Sequence, residues 1–425
     1  MTAQGMSCQV VTCDNSSKET TVYPLRRAAR RIAARGCAVL CCAGLSLSAV
    51  LLLTGCHNFF ICQKASCPSG GGGSTTSDWA YVSNATAGST DISAYDIGNG
   101  SLAAISGSPY NIGFAPVAMS VSPGNAFLYV ASIPGAVNPG IYMFAINSSS
   151  GALSTANGGN VLISTQVSSM DISPDGNFLF VVDALANALT EYQINPTTGL
   201  LSLASSFPLL PGAICAASGS PVIQQCTVKV APSGQFVVAA LGTAGTIIYP
   251  YSSASGITST TATVISSGST KNNPTGDYSV ALDKSNLLYI ARTTALAVYA
   301  LDANGNATLK STATYSSGVN PRSVALSTNY SNVYTANVGA GNISGYSINS
   351  TTGALATLSG SPFSAPANVS AIAADKSGKY MVAVGYNGTS GIQLFTIGTT
   401  GALTLATSAG TGTSPDFPAI LALSH

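Results

Sequence analysis

Residues 173–182 read Ser-Pro-Asp-Gly-Asn-Phe-Leu-Phe-Val-Val, a turn running straight into an apolar strand. Pro and Gly give the turn its backbone angles, and the run after it has strand character. A second strand pattern follows at Leu189-Thr190-Glu191-Tyr192-Gln193-Ile194, and then a tight-hairpin signal at Thr198-Gly199-Leu200-Leu201. The same order appears at 122–130, Ile141–Ile146 and Ser150–Leu153. It returns at 331–337, Ile343–Ile348 and Thr352–Leu355, and again at 379–384, Ile392–Ile397 and Thr400–Leu403. Weaker copies start near Gly234 and Ser285, and the first starts at Trp79. Seven copies thus fill residues 79–425, with a period of about 50 residues.

Four short strands per repeat at that period make a propeller blade. The expected fold is all-β: a seven-bladed β-propeller with four-stranded blades. Closure is also readable. The repeat region begins on the second strand of a blade, Tyr81-Val82-Ser83-Asn84, and ends on an innermost strand, Ala419-Ile420-Leu421-Ala422-Leu423. The C-terminal strand should therefore complete the N-terminal blade. Two β-sandwiches are the rival arrangement; an odd number of repeats and the split of one repeat between the termini speak against it.

Composition agrees. Charged residues make up 7% of the chain and hydrophobic ones 46%, so a sizeable core is available. A net charge of +1 lacks the clustered Lys and Arg of a nucleic-acid footprint, and no nucleic-acid partner is expected. Only Glu19 and Glu191 represent glutamate.

The N-terminus carries a different message. Residues 26–35 are basic, 38–53 form an apolar run, and Leu53-Thr54-Gly55-Cys56 follows. A positive region, an apolar region and small residues before a Cys describe an export signal. The tetrad resembles a bacterial lipobox, which implies cleavage before Cys56 and lipid attachment to it. An uncleaved anchor, or a cleaved signal followed by an ordinary Cys, are the alternatives. The expected division is a signal at 1–55, a Gly/Ser-rich tether at 56–78 and the propeller at 79–425. Cleavage would leave nine basic and twelve acidic residues, a net charge of −3. The expected address is an exported, membrane-anchored protein facing the periplasm or the cell surface. Beyond Cys56 the processed chain holds Cys62, Cys67, Cys215 and Cys226, an even number suited to an oxidising compartment. Local pairs 62–67 and 215–226 are the simplest connectivity; free thiols are the alternative.

The repeats resemble the lactonase-type seven-bladed β-propeller family, which includes YVTN-repeat surface proteins and a bacterial 6-phosphogluconolactonase. Tyr129-Val130-Ala131, the Gly-Ala-Leu hairpins, Gly107-Ser108-Pro109-Tyr110 and Gly360-Ser361-Pro362-Phe363 carry the resemblance. It implies a binding face where the second strands end and the innermost strands begin. In such relatives a Pro-Arg-His segment often opens an innermost strand. Here Pro321-Arg322-Ser323 matches the Pro and Arg and puts Ser where the His would be. The resemblance implies ligand binding at Arg322, and possible lactone hydrolysis, a reaction that needs a base to activate water.

The residues set limits on that chemistry. The two His are His57, beside Cys56, and His425, the last residue. Neither is expected to reach a site inside the ring, which excludes a Ser-His-Asp triad and a His-held metal. No metal and no cofactor are expected. Aligned strand ends bring Arg292, Arg322, Asp277, Tyr278 and Asp183 to one face. An Arg pair there could clamp a carboxylate or phosphate; two solvated surface charges are the plain alternative. Beside the channel, Asp171 and Lys229 fall in equivalent places of successive blades and should pair, because a lone charge there would be costly. The expected function is a binding or interaction module for a small molecule, glycan or protein, anchored to a membrane by its lipid. The alternative is a lactonase acting on a sugar lactone.

Overall fold

The computed structural model describes residues 78–84, 90–132, 136–213, 215, 226–270, 275–315, 320–386, 391–410 and 420–425. The export signal and tether, with Cys56, Cys62 and Cys67, lie outside the described residues, as does Ala419.

Seven antiparallel sheets follow one another along the chain. Their innermost strands are Leu421–Leu423, Pro116–Val121, Val167–Ile172, Thr227–Val230, Asp277–Leu282, Pro321–Leu326 and Val369–Ala374. Each of these packs against the next, and the last packs against the first, so the ring is closed. Taking the sheet that holds Trp79–Asn84 as blade 1, the chain passes through blades 2 to 7 in order.

Blade 1 is assembled from both ends of the repeat region. Leu421–Leu423 pairs with Trp79–Asn84 in the register Ala80↔Leu423, Tyr81↔Ala422 and Val82↔Leu421. Side chains extend the ladder at both ends. The Trp79 N–H donates to Ser424 Oγ at 2.8 Å, and the Ile420 N–H to Ser83 Oγ at 2.9 Å. Asn125 of blade 2 then holds His425 by two bonds, accepting from its N–H at 2.8 Å and donating to its carbonyl at 2.6 Å.

Adjacent inner strands are not laddered to each other, so their backbone N–H groups need other partners. Hydroxyls and a carboxylate of the preceding blade supply them. Ser169 Oγ accepts from Val228 N, Ser279 Oγ from Val324 N and Ser323 Oγ from Ile372 N, at 3.1 to 3.2 Å. Asp171 belongs to the same set: its Oδ2 accepts from Val230 N at 2.9 Å, and its Oδ1 lies 3.0 Å from Lys229 Nζ. The expected ion pair is present, and it doubles as a link between blades 3 and 4.

A recurring tyrosine explains much of the inter-blade packing. Tyr81, Tyr129 and Tyr334 occupy the third position of their second strands and are fully buried. Each donates its hydroxyl to a hairpin glycine carbonyl in the next blade: Gly151 at 2.8 Å, Gly199 at 2.7 Å and Gly401 at 2.7 Å. The hairpins need glycine twice over. Gly151 has φ +70°, and a Cβ there would fall 2.6 Å from the Trp79 ring. Tyr129→Phe should therefore cost about 1–2 kcal/mol, because the buried Gly199 carbonyl loses its donor. Urea midpoints of the two proteins measure this; equal midpoints would show that the bond adds nothing.

The outermost position takes two forms. Blades 3, 5 and 7 have one long strand there, Leu201–Pro208, Ala307–Thr314 and Leu403–Ala409. Blades 1, 2, 4 and 6 split it into two short segments that pair with the same neighbour. The Gly-Ser-Pro sequences sit at two of these breaks, where the serine replaces a missing ladder acceptor. Ser108 Oγ accepts from Ala94 N at 2.8 Å, and Ser361 Oγ from Gly345 N at 2.9 Å.

Candidate functional site

The inner strands of five blades open with the same irregularity. The register shifts by one residue between Pro116 and Ala118, Val167 and Ser169, Asp277 and Ser279, Pro321 and Ser323, and Val369 and Ala371. One residue in each blade is thereby left out of the ladder, and a bulge of this kind re-aims its side chain. In blades 5 and 6 the residues so placed are Tyr278 and Arg322. Their side chains meet, with the Arg322 guanidinium carbon 5.0 Å from the Tyr278 ring centroid. The cation lies against the negative face of the ring, a favourable arrangement.

Just before the bulge, Asp277 stands opposite Arg292 across the ladder. Arg292 Nε is 2.8 Å from Asp277 Oδ1, and Nη2 is 3.4 Å from Oδ2. Thr246 of blade 4 donates to Oδ2 at 2.7 Å, and Arg292 Nη2 also donates to the Ser266 carbonyl at 2.9 Å. The Asp277 side chain is fully buried, whereas that of Arg292 keeps 18% exposure. Burial pushes the Asp277 carboxyl above the ordinary range, and the guanidinium and the Thr246 hydroxyl pull it back down.

The five candidate residues therefore divide. Asp277, Arg292, Tyr278 and Arg322 gather at the blade 5–6 end of the candidate face. The two arginines differ in what they are free to do. Arg292 is committed to Asp277, Ser266 and the Tyr299 ring, 5.6 Å away. Among the described residues Arg322 has no carboxylate partner, and its Nη1 is buried without a hydrogen-bond acceptor. Asp183 is separate from them. Its Oδ1 accepts from the N–H groups of Leu185 and Ala186, both at 2.9 Å, which makes it the anchor of its own turn. Thr246, Ser266 and Thr293 were not singled out by the sequence. Thr293 Oγ1 accepts from Gly276 N at 2.8 Å and lies 3.5 Å from the Tyr278 hydroxyl. Single hydroxyl residues in a chain rich in Ser and Thr carry no signal that would have marked them.

Two other expectations meet the structure here. Cys215 and Cys226 form a disulfide, and Cys226 stands at the mouth of the blade 4 inner strand. His425 sits beside the Val121 carbonyl, 3.2 Å from its Nε2, at the far end of an inner strand from the Arg322 face. Among the described residues no group of His, Cys, Asp and Glu has the arrangement of a metal site.

The closed ring of seven four-stranded blades is that of a seven-bladed β-propeller, with Tyr278 and Arg322 at the mouths of two of its inner strands. The chain belongs to the lactonase seven-bladed β-propeller family, whose profile matches residues 74–218, 249–370 and 287–418. No curated protein matches the chain. Among solved structures, a provisional 6-phosphogluconolactonase from Bacteroides fragilis is 15% identical, with a TM-score of 0.65 over 83% of this chain and 100% of its own. The periplasmic gluconolactonase of Pseudomonas aeruginosa is also 15% identical, with a TM-score of 0.62 over 82% of this chain and 99% of its own. At these identities the likeness is one of fold.

Proposed function

We propose that the chain is a binding module displayed at the cell envelope by a lipid on Cys56, and that it captures a small anionic ligand at Arg322. One observation carries this reading. Arg322 is a half-buried cation stacked on the Tyr278 ring with no carboxylate partner among the described residues, in the blade next to an arginine whose charge Asp277 already neutralises. A carboxylate or phosphate is the ligand chemistry that satisfies a planar guanidinium. The Tyr278 ring fixes the guanidinium before the ligand arrives, which lowers the ordering cost of binding. The lipid anchor rests on Leu53-Thr54-Gly55-Cys56 and the apolar run before it.

Lactone hydrolysis is the second reading, favoured by the family and by the gluconolactonases among its structural neighbours. It needs a base at the site. Asp277, the residue before Tyr278, is the carboxylate at this end of the face, and both its oxygens are engaged by Arg292 and Thr246. That arrangement suits a structural acid more than a base poised to deprotonate water.

Calorimetric titration with 6-phosphogluconate and proton release from gluconolactone separate the two. We expect 6-phosphogluconate to bind the unmodified protein. Arg322→Ala should weaken it by about tenfold or more, the loss of a charge-assisted contact. Proton release should stay at the uncatalysed rate. Turnover by the unmodified protein that Arg322→Ala abolishes would establish the lactonase instead. Equal affinity in both proteins would remove Arg322 from the site.

A further inference from the structure

The seam between blades 3 and 4 differs from the one before it. Phe180 stands where the pinning tyrosine stands in blades 1, 2 and 6, so no hydroxyl reaches the next hairpin. A carboxyl group replaces it. Glu191, 1% exposed, reaches across to blade 4, where its Oε1 and Oε2 accept from the Ile257 N–H at 3.2 and 3.4 Å. Gly256, with φ +76°, leaves the space this requires; a Cβ there would overlap the carboxyl. Burial pushes the Glu191 carboxyl above its ordinary range. On its other side Tyr251 donates to Asp175, 3.0 Å from Oδ2.

A groove of about 350 Å³, largely open to solvent, lies on the rim of the same seam. Ser205, Ser206 and Phe207 of blade 3 form one wall; Ile257, Thr258, Ser259 and Thr260 of blade 4 form the other. Both neighbours of Glu191 belong to these walls: Ser205 faces it across the ladder, and Ile257 donates to it. The buried carboxyl thus holds the blade 4 wall at a fixed distance from the blade 3 wall.

We propose that this groove is a second binding site, for a neutral, hydroxyl-rich ligand of monosaccharide size. The described lining carries five hydroxyl side chains and no charge. Hydroxyls donate and accept at once, and those of Thr258 and Ser259, whose protons go to backbone carbonyls, still accept from a polyol, whereas an ionic ligand would leave water for a lining that offers it no counter-charge. The volume falls at the lower end of small-molecule sites, large enough for one sugar ring. Thr258 and Ser259 are held by local bonds, to the Pro250 and Thr261 carbonyls, so the loop wall is partly ordered before a ligand binds. The site lies on the outer rim, on strands that contribute nothing to the Arg322 face, and it stands or falls apart from the function proposed above.

The probe is glucose, read by saturation-transfer NMR on the full chain. The expected result is transfer to glucose in the millimolar range, unaffected by Arg322→Ala. Thr260→Trp fills the groove from an exposed position, so the blades keep their packing. It should cut the transfer at least about fivefold, the loss expected when a side chain occupies a ligand's volume. Circular dichroism confirms that the variant is folded. No transfer with the unmodified protein, or equal transfer in folded Thr260→Trp, would overturn the proposal.

Discussion

Deletion of residues 420–425 is expected to lower the unfolding midpoint by on the order of 10 °C or more, at an estimated loss of at least about 5 kcal/mol. The segment contributes little local contact of its own, but it is the inner strand of blade 1. It packs against the inner strands of both blade 2 and blade 7. Its loss removes the ladder to Ala80, Tyr81 and Val82, the serine bonds at Ser83 and Ser424, and the Asn125 link. It also uncovers Tyr81 and Val82, which are fully buried in the closed ring. A circular permutant placing 420–425 directly ahead of Asp78 supplies the same strand through a hairpin, since the two strands are antiparallel. It should restore the midpoint. Thermal unfolding followed by circular dichroism reads all three proteins. An unchanged midpoint in the deletion would mean that the ring does not depend on this strand.

Arg292→Ala is expected to destabilise by about 3–5 kcal/mol at neutral pH, because it strands the buried Asp277 carboxylate. The pH dependence gives the sign. The folded Asp277 carboxyl already lies above its ordinary range through burial, and removal of the guanidinium raises it further. A raised folded value means that the folded chain holds the proton longer than the unfolded one. Stability is therefore fully present below the unfolded value and is lost as pH rises through the folded one. The deficit of Arg292→Ala should be largest near neutrality and shrink on acidification. Asp277→Leu combined with Arg292→Met should recover most of the loss, since a buried pair replaced on both sides costs little. Urea denaturation across pH measures this. A deficit independent of pH would point to lost arginine packing rather than to an unpaired carboxylate.

The sequence carries the ring in plain form, because each blade repeats the same physical solution. Tyr129-Val130-Ala131 and its counterparts are buried second strands, and the Thr-Gly and Ser-Gly pairs are the hairpins that receive the tyrosine hydroxyls. Alignment of inner strands alone was enough to pair Asp171 with Lys229, since equivalent positions in successive blades are neighbours around the channel. The split outer strands were not legible. They depend on where a loop serine such as Ser108 replaces a ladder acceptor, and a single Ser has no pattern.

The candidate face was legible in part for a related reason. Strand ends can be aligned, so Asp277, Tyr278, Arg292 and Arg322 were placed together correctly. Side-chain direction is set by the bulge at Tyr278 and Arg322 and by Thr246 on another blade, neither of which periodicity shows. Asp183, which the same alignment put on this face, does end the equivalent strand of blade 3 opposite Val167, and the two N–H groups of its own turn claim its Oδ1. Glu191 was visible as a rare residue, but its partner, the Ile257 N–H, is a backbone group and leaves no mark in the sequence.

A crystal structure of the protein with 6-phosphogluconate tests the central claim most directly. The account predicts a ligand anion within hydrogen-bonding distance of the Arg322 guanidinium, over a Tyr278 ring that has kept its stack, with Arg292 still on Asp277. A ligand bound elsewhere, or an Arg292 that has left Asp277 to clamp it, would contradict the division of roles between the two arginines.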